Sequence, residues 1–427
     1  MSTPVSKAMR DVFVPEVPQA LAEAAAGLRI TAASPALQGF RAEAWAAFEK
    51  LGIPGTKHED FSYVSSADLK AALTRVPAPS AKAEVEGDVG GETASFSFVN
   101  GNLASFSIPE NLGLHALAEG DLPEDLLNAW TIIVAAEESD APAALAWSLA
   151  RQPLALDVSK GSKVAIRLNF SGTAARADHA LFIRVGENAE ATVSIESDFG
   201  AEAFANTAIA FSLAPGARLR AIQADAPEGF QLLKLRFDLA KDARVEFLSA
   251  STGSRLARLA LEAVLSGPGA EADLRGATAV AGTNRAHRHL RIRHAAPDCR
   301  SNQIFKAVVP GAGLSSVDGT VIVDRGAQRT DARQLLQHLL LSPEGRANAK
   351  PRLLIHADDV KCSHGATVGK TDPAQRFYLL SRGLSPAEAD RVLTQAFLGE
   401  ALLPFVGDPA AAPVAGWLME AVTGGRA

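Results

Sequence analysis

The order of apolar and polar residues divides the chain into three parts. Residues 1–85 show helical spacing, clearest in ASPALQGFRAEAWAAFEKLG, and predict a helical N-terminal region. From residue 86 the pattern changes to short alternating runs such as KVAIRLNF and RVEFLSA, which predict strands and a β-rich core over 86–369. Helical spacing returns in residues 370–427. The apolar face of the clearest N-terminal helix comprises Leu37, Phe40, Ala44, Ala47 and Phe48.

A repeat occupies the β-rich core. A small turn, then alanine or serine, then alternating apolar residues recur in KGSKVAI, ENAEATV, PGARLRA, KDARVEF and PGAEADL. A fixed period over five such units indicates a solenoid, because each strand–turn–strand coil buries its apolar face only by stacking on its neighbours. The small residues recur every 26 to 28 positions, at Ser162, Ala189, Ala217, Ala243 and Ala270.

Capping signals predict the helices of the C-terminal region. Asp372 followed by proline predicts one helix start, and the box from Ser385 to Glu388 predicts a second helix that runs to about Leu403. A short third helix is predicted over 414–422. The predicted apolar face of the second helix comprises Ala389, Val392, Leu393, Ala396, Phe397 and Ala401.

Composition excludes several classes of protein. Of the 427 residues 47% are hydrophobic, and the net charge of −6 does not favour nucleic acid as a partner. No apolar run approaches the length of a membrane span, and the N-terminus lacks the apolar segment of a secretory signal, so we expect a cytoplasmic location. The two cysteines, Cys299 and Cys362, cannot supply the four thiolates of a typical iron–sulfur cluster.

The run ADDVKCSHGATVGKT contains the strongest chemical candidates, Cys362 and His364. In an extended segment alternate residues share a face, so thiol and imidazole would project together with Ser363 turned away. Both groups ligate iron and zinc, and Lys361 or the imidazolium would lower the thiol pKa. The alternative is a structural cysteine beside a structural histidine. Two ligands leave a metal site incomplete unless a second chain supplies the others.

The end of the same run is similar to a phosphate loop. The loop pattern requires a glycine five residues before Gly369, and His364 stands there, so the loop is one residue short. We therefore expect no nucleotide on this chain. The alternative is a glycine-rich turn that leads to the helix cap at Asp372.

The run NRAHRHLRIRH is the most basic segment of the core. Alternation predicts a solvated basic strand face, and an acidic partner protein is the alternative. No G-x-S-x-G elbow occurs. A stand-alone metal- or thiol-dependent enzyme that uses Cys362 and His364 stays open as an alternative function. Leu290, Ile292 and His294 are predicted to share one face of the strand, and His287, His289, Arg291 and Arg293 the other.

Several motifs resemble one protein family. KPRLLIHADDVKCSHGATVGKTDPAQRFYLLSRGLSPAEADRVLTQAFLGE is similar to the C-terminal signature of the SufB/SufD family of the SUF iron–sulfur cluster assembly machinery. HAAPDCRSNQIFKAVV, GTVIVDRGAQRTDARQ, LLLSPEG and TKHEDFSYV resemble it as well. The DDVKCSHGATVG run and the low cysteine count favour the SufD branch over the SufB branch. The resemblance implies a right-handed parallel β-helix between N-terminal and C-terminal helical regions.

The sequence departs from the family pattern in three places. PAALAWSLARQPLALDVSKG replaces a longer stretch, His338 stands where asparagine is common, and Phe-Ser-Tyr stands in TKHEDFSYV where a tryptophan is usual. None of these departures falls on Cys362 or His364.

The resemblance also implies a function and partners. It implies a non-catalytic scaffold that pairs with SufB through the β-helices and binds the SufC ATPase through C-terminal helices. Cys362 and His364 match ligand positions for a nascent iron–sulfur cluster, transient and shared at the SufB interface. The resemblance leaves open whether the chain forms a homodimer in isolation. We expect the ATPase to contact Ala389, Val392, Leu393, Ala396 and Phe397.

Overall fold

The computed structural model describes residues 13–14, 17–32, 34–55, 57–77, 85–89, 93–110, 112–116, 123–135 and 140–423. Its α-helices are α1 (Gln19–Ile30), α2 (Pro35–Leu51), α3 (Ser66–Leu73), α4 (Glu124–Ala135), α5 (Ala141–Leu149), α6 (Pro373–Ser381), α7 (Pro386–Leu402) and α8 (Ala412–Thr423). Short 3-10 turns cover Glu59–Phe61 and Leu403–Phe405.

The strands are β1 (Phe13–Val14), β2 (Ile53–Pro54), β3 (Glu86–Val89), β4 (Thr93–Val99), β5 (Asn102–Ile108), β6 (Leu112–Ala116), β7 (Leu154–Val158), β8 (Lys163–Gly172), β9 (Ala177–Val185), β10 (Glu190–Phe199), β11 (Phe204–Leu213), β12 (Arg218–Asp225), β13 (Phe230–Leu239), β14 (Arg244–Ser251), β15 (Leu256–Leu265), β16 (Glu271–Ala279), β17 (Arg285–His294), β18 (Arg300–Val309), β19 (Leu314–Val323), β20 (Thr330–Leu340), β21 (Arg346–Ile355) and β22 (Val360–Gly369).

Strands β7 to β22 form a parallel β-solenoid of about eight coils. Each coil contributes one strand to the odd sheet, which contains β7, β9 and the odd strands onward, and one to the even sheet, which contains β8, β10 and the even strands onward. Inward side chains of both sheets form one continuous aliphatic and aromatic core. The predicted mainly β solenoid, flanked by N-terminal and C-terminal helices, is confirmed.

The predicted repeat matches the stacking register. Ala191 pairs with Leu219, Leu219 with Val245, and Val245 with Ala272, so successive coils are 28, 26 and 27 residues long. The small residues that define the repeat are fully buried at Ala189, Ala217, Ala243 and Ala270. Each follows a residue in the left-handed region, which glycine, asparagine and aspartate adopt most readily. These residues are Asn188, Gly216, Asp242 and Gly269.

The two ends of the solenoid differ. At the N-terminal end, β5 pairs antiparallel with β4, and β6 pairs antiparallel with β7. At the C-terminal end, β22 and β21 are the last strands of the even and odd sheets. Within the described residues, therefore, the N-terminal end finishes in strands that run opposite to the solenoid, β3 and β6, and the C-terminal end finishes in solenoid strands.

The N-terminal helices cover the outer face of the odd sheet. The predicted face of α2 is confirmed, since Leu37, Phe40, Ala44 and Phe48 are buried and Ala47 is half-buried. Helices α4 and α5 lie within residues 86–369, the range for which the sequence predicted a β-rich core. All nine residues of α5 are buried, and a helix that is apolar all round has no amphipathic period to detect.

The basic strand β17 is covered, and the prediction of a solvated face is wrong. Leu290, Ile292 and His294 point inward as expected, but on the opposite face His287 is only 3% exposed. Acidic groups of the N-terminal region lie against this face: Asp68 accepts a hydrogen bond from Arg285 at 2.7 Å. The carboxylate of Asp60 lies 3.9 Å from the His289 ring. The acidic partner of β17 is therefore a part of the same chain.

The C-terminal helices pack on the outer face of the even sheet. Leu398 of α7 and Leu418 of α8 join a cluster with Ala250 and Ala277 of the sheet. Asp372 caps α6 by accepting from the Ala374 amide at 2.8 Å, and the predicted capping box of α7 is present. Among the described helices none combines the length and hydrophobicity that a membrane crossing requires.

The apolar face predicted for α7 is only partly the face that packs. Val392 and Ala396, which the prediction included, are exposed. The stripe that meets the sheet includes the polar Thr394, whose hydroxyl donates to the Asp390 carbonyl at 2.8 Å and so tolerates burial. The buried residues of α7 are Ala389, Thr394, Leu398 and Ala401.

Candidate functional site

Strands β21 and β22 form the open end of the solenoid, called the open coil below. Strand β22 pairs with β20 on one side only, and β21 pairs with β19 on one side only. Their other edges therefore present backbone N–H and C=O groups that no described strand satisfies. Such an edge is a template for pairing with another chain.

Cys362 and His364 both lie on the inward face of β22. Cys362 pairs with Ala332, and His364 pairs with Gln334, whose columns in the earlier coils point into the core. Their Cα atoms are about 7 Å apart, as alternate residues of a strand must be. The predicted projection of thiol and imidazole to one face is confirmed by the strand. His364 is exposed because no coil among the described residues is stacked above it.

The Cys362 thiol is half-buried against aliphatic side chains. Its neighbours include Val321, Val323 and Ala332 of the preceding coil. Burial, and secondarily the negative charge of Asp331, raises the pKa of this thiol. The expectation that Lys361 would lower the pKa is wrong, because Lys361 occupies the outward face of the strand. Metal binding would displace the thiol proton, since the thiolate is the ligand form.

An amide ladder lies directly below His364. The Gln334 Nε2 donates to the Gln303 Oε1 at 2.8 Å, and both side chains are buried. The Gln334 Oε1 is buried and has no hydrogen-bond partner among the described residues. The His364 ring is thus the next member of an inward polar column.

Apolar side chains surround the candidate ligands at the open coil. Ile355 of β21 is 39% exposed and Val368 of β22 is 47% exposed, although both occupy inward columns. Equivalent residues of the preceding coils, such as Val323, are fully buried. The open coil therefore presents core side chains to solvent, a feature of interaction surfaces.

The ligand set of this chain is incomplete. Among the described residues no group of three or more His, Cys, Asp or Glu side chains is placed to hold a metal ion. One thiol and one imidazole suit iron as ligands, but they fill only two of the usual four positions. These two side chains would hold a metal ion only together with further ligands from elsewhere.

The second cysteine has a structural position. Cys299 is fully buried and follows Asp298, whose φ is +62°. It therefore occupies the same turn position as Ala270 one coil earlier, and its thiol donates to the Gly267 carbonyl at 3.3 Å. Burial raises its pKa. Cys299 is the small residue of a sixth repeat unit.

The segment that resembles a phosphate loop is a strand. Residues 365–369 belong to β22 and pair with β20, so their backbone cannot curve around a phosphate. The alternative of a glycine-rich turn is likewise wrong, because the strand continues to Gly369 and residues 370–372 lead directly to the next helix.

The residues expected to contact an ATPase fall on two sides of α7. Ala389 is fully buried, and Phe397 lies under the Lys306 ammonium, 4.6 Å from it. Val392 and Ala396 face solvent, and Leu393 is half-buried. Helix α6 buries none of its residues, and its Phe377 is 71% exposed.

Sequence reasoning missed the amide ladder. Gln303, Gln334 and His364 are 31 and 30 residues apart, which is the period of the last coils. If the sequence repeat is followed beyond Ala270, it places these three residues in one column.

The chain is similar in sequence to known iron–sulfur cluster assembly proteins. Residues 169–397 match the family model described as "SUF system FeS cluster assembly, SufBD core domain". An iron–sulfur cluster assembly SufBD family protein of Synechocystis sp. (strain ATCC 27184 / PCC 6803 / Kazusa) is 34% identical over 180 residues, 42% of this chain and 40% of that protein.

Two further relatives differ in how much they cover. A SufBD family protein of Mycobacterium leprae is 29% identical over 276 residues, 61% of this chain and 70% of the relative. The iron–sulfur cluster assembly protein SufD of Escherichia coli is 41% identical over 102 residues, 24% of each chain. The family model spans more than half of the chain and includes both Cys362 and His364. The chain therefore belongs to the SufB/SufD family of iron–sulfur cluster assembly proteins of the SUF system.

Proposed function

We propose that this chain is a non-catalytic scaffold subunit of a cytosolic iron–sulfur cluster assembly complex. In this complex it pairs with SufB through the open coil and shares a nascent cluster there, with Cys362 and His364 as its ligands. The observation that carries the proposal is the position of these two side chains on an uncapped inward face. A site with two ligands at an open strand edge needs a second chain for completion.

Pairing through the open coil has two physical supports. The free edges of β21 and β22 supply unpaired backbone donors and acceptors to a partner strand. Exposed core residues such as Ile355 and Val368 supply apolar area that a partner would remove from water. A second copy of this chain would satisfy the same surfaces, so a homodimer is the expected state without SufB.

The two ligands have separate tasks. Cys362 would bind iron as a thiolate, and its proton would leave to solvent as the metal–sulfur bond forms. Because burial raises the pKa of Cys362, the thiol stays protonated until metal arrives. His364 is exposed and would ligate through a neutral ring nitrogen.

The C-terminal helices are the proposed docking site for the SufC ATPase. Phe377 and Tyr378 of α6 are 71% and 56% exposed, and Val392 and Ala396 of α7 lie on the solvent side. Arg376 holds α6 against α7 through two hydrogen bonds to Asp390, at 2.7 and 3.1 Å. An aromatic patch on a rigid helical pair is the kind of surface that anchors a protein partner.

Substitution of the ligands tests the cluster role. Cells that carry Cys362→Ala together with His364→Ala should lose cluster assembly through this system, while Ser363→Ala should not, because Ser363 faces outward. Normal assembly with both ligands replaced would reject the shared site. The purified chain should still fold and pair, which circular dichroism and copurification would check.

Copurification tests the ATPase surface. Phe377→Ser with Tyr378→Ser should abolish capture of SufC, and Ile132→Ser, at a 68% exposed residue of α4, should not. Undiminished capture of SufC by the double variant would show that the ATPase binds another surface.

The alternative of a stand-alone enzyme makes a different prediction. It requires an activated thiolate at Cys362, whereas burial raises the pKa of that thiol. Stoichiometric metal or turnover in the isolated chain would favour the enzyme over the scaffold.

A further inference from the structure

The column that contains His364 changes character toward the open coil. On the inward face of the even sheet, Leu274 pairs with Gln303, Gln303 with Gln334, and Gln334 with His364. Leu274 is part of the aliphatic core, but the next two members are buried amides. A buried amide is costly unless its groups are hydrogen-bonded. The replacement of aliphatic residues by two amides in this column therefore calls for a physical explanation.

The amide plane of Gln334 is fixed. Its Nε2 donates to the Gln303 Oε1 at 2.8 Å, which directs the amide nitrogen toward the preceding coil. The side chain also lies on Gly319 of the opposite sheet, where an added Cβ would come 2.4 Å from Nε2 and 3.0 Å from Cδ. Reversal of the Gln334 amide alone would place two carbonyl oxygens against each other.

The Gln334 Oε1 is the acceptor that this bond leaves free, and the coil that contains His364 lies on the side of Gln334 away from Gln303. This oxygen is buried, and no described residue donates to it. Gln334 as a whole is 3% exposed. Adjacent strands are about 4.8 Å apart, so the imidazole of His364 lies within reach of the oxygen after a side-chain rotation.

We propose that Gln334 is a positioning residue for His364. Its Oε1 accepts the N–H of one imidazole nitrogen, fixes the neutral tautomer, and leaves the other ring nitrogen unprotonated and directed out of the open coil. A hydrogen bond to the non-ligating nitrogen is how metal-binding histidines are commonly oriented. The inference rests on the proposed role of His364 as a ligand and adds the residue that aims it.

The tautomer of His364 gives the first test, which needs no metal. Nitrogen-15 chemical shifts of the ring, measured on the full chain with labelled histidine and assigned by His364→Ala, should show one dominant neutral tautomer. Gln334→Leu should yield a mixture. Gln337→Leu, the same change on the outward face of the same strand, should leave the single tautomer. An even mixture in the unsubstituted chain, or an unchanged single tautomer in Gln334→Leu, would overturn the proposal.

Metal binding gives the second test. In the complex copurified with its partner, Co²⁺ affinity should fall roughly 10–100-fold in Gln334→Leu. Gln334→Met, which has a similar length and no amide oxygen, should lower the affinity in the same way, and it serves if the leucine variant does not fold. A loss of Co²⁺ affinity in His364→Ala without a loss in Gln334→Leu would reject the positioning role of Gln334 but not the ligand role of His364. No loss in His364→Ala would reject the ligand role itself.

Discussion

Asp140 and Arg258 form an ion pair of 2.9 Å in which both side chains are almost fully buried. Asp140 caps α5 by accepting from the Ala143 amide, and Arg258 projects from the outer face of β15. The pair therefore attaches the N-terminal helices to the solenoid. The Arg258 guanidinium also lies 4.0 Å from the ring of Phe61, which covers it.

Removal of one partner of this pair should be strongly destabilising. Asp140→Ala leaves the Arg258 charge buried and uncompensated, and we expect a loss of about 3–5 kcal/mol in the free energy of unfolding. Urea denaturation followed by tryptophan fluorescence would measure it. Glu187→Ala breaks the exposed pair with Lys160 and should cost little. Similar losses in both variants would contradict this account.

Stability should fall in mild acid because several imidazoles are buried in the neutral form. Burial lowers the pKa to about 3 for His179 and His287, and to about 4 for His289, His294 and His338, from an ordinary value near 6.5. The unfolded chain then binds more protons than the folded chain. The contribution of these neutral imidazoles to the free energy of unfolding is fully present above pH 6.5, and it decreases as the pH falls toward 4.

Each such imidazole contributes about 1.4 kcal/mol per pH unit within this window. The urea midpoint should therefore drop steeply between pH 6.5 and 5 while changing little between pH 7 and 8. His338→Asn, which keeps a group able to bond Ser315, should reduce the slope. A midpoint that is flat down to pH 5 would show that these rings are accessible to protons.

Arg329 is an unusual residue at its turn position. It has a φ of +60°, at a place where earlier coils have asparagine, aspartate or glycine. Arg329→Asn should raise Tm by roughly 1–3 °C, because asparagine tolerates this conformation better than arginine does. The lost ion pair with Asp298 is exposed and contributes little.

The reciprocal change provides the control for this prediction. Asn188→Arg places arginine at a φ of +55° and should lower Tm by a similar amount. A lower Tm in both variants would mean that side-chain contacts, not backbone conformation, decide the residue at these turns.

The two cysteines should differ in every assay. Cys299→Ala places alanine where other coils already have it, so the chain should fold and support cluster assembly. In the folded chain iodoacetamide should modify Cys362 alone, and slowly at pH 7 because its pKa is raised. Rapid modification of Cys299, or loss of assembly in Cys299→Ala, would contradict its structural position.

The sequence predicted those features that depend on local pattern. Helix α2, the capping box of α7 and the spacing of Ala189, Ala217, Ala243 and Ala270 follow from periodicity within or between short segments. The extended geometry around Cys362 and His364 was predictable for the same reason.

The features that depend on what covers a surface could not be predicted. Strand β17 reads as solvated because its arginines and histidines are polar, yet Asp60 and Asp68 lie far away in sequence and cover it. The ladder from Gln303 to His364 depends on coil lengths of 31 and 30 residues, outside the 26 to 28 read from the clear repeats.

The unequal ends of the solenoid limit how copies can assemble. At the N-terminal end the outermost described strands, β3 and β6, run opposite to the solenoid strands, whereas β22 and β21 at the C-terminal end run with them. Head-to-tail addition of copies would bring strands of opposite direction together, so it could not continue the parallel stack. A pair joined open coil to open coil, as proposed, would leave no open coil on either partner and would therefore be finite. A cluster site shared between the two open coils would occur once per pair, and the two partners that complete it would also enclose it.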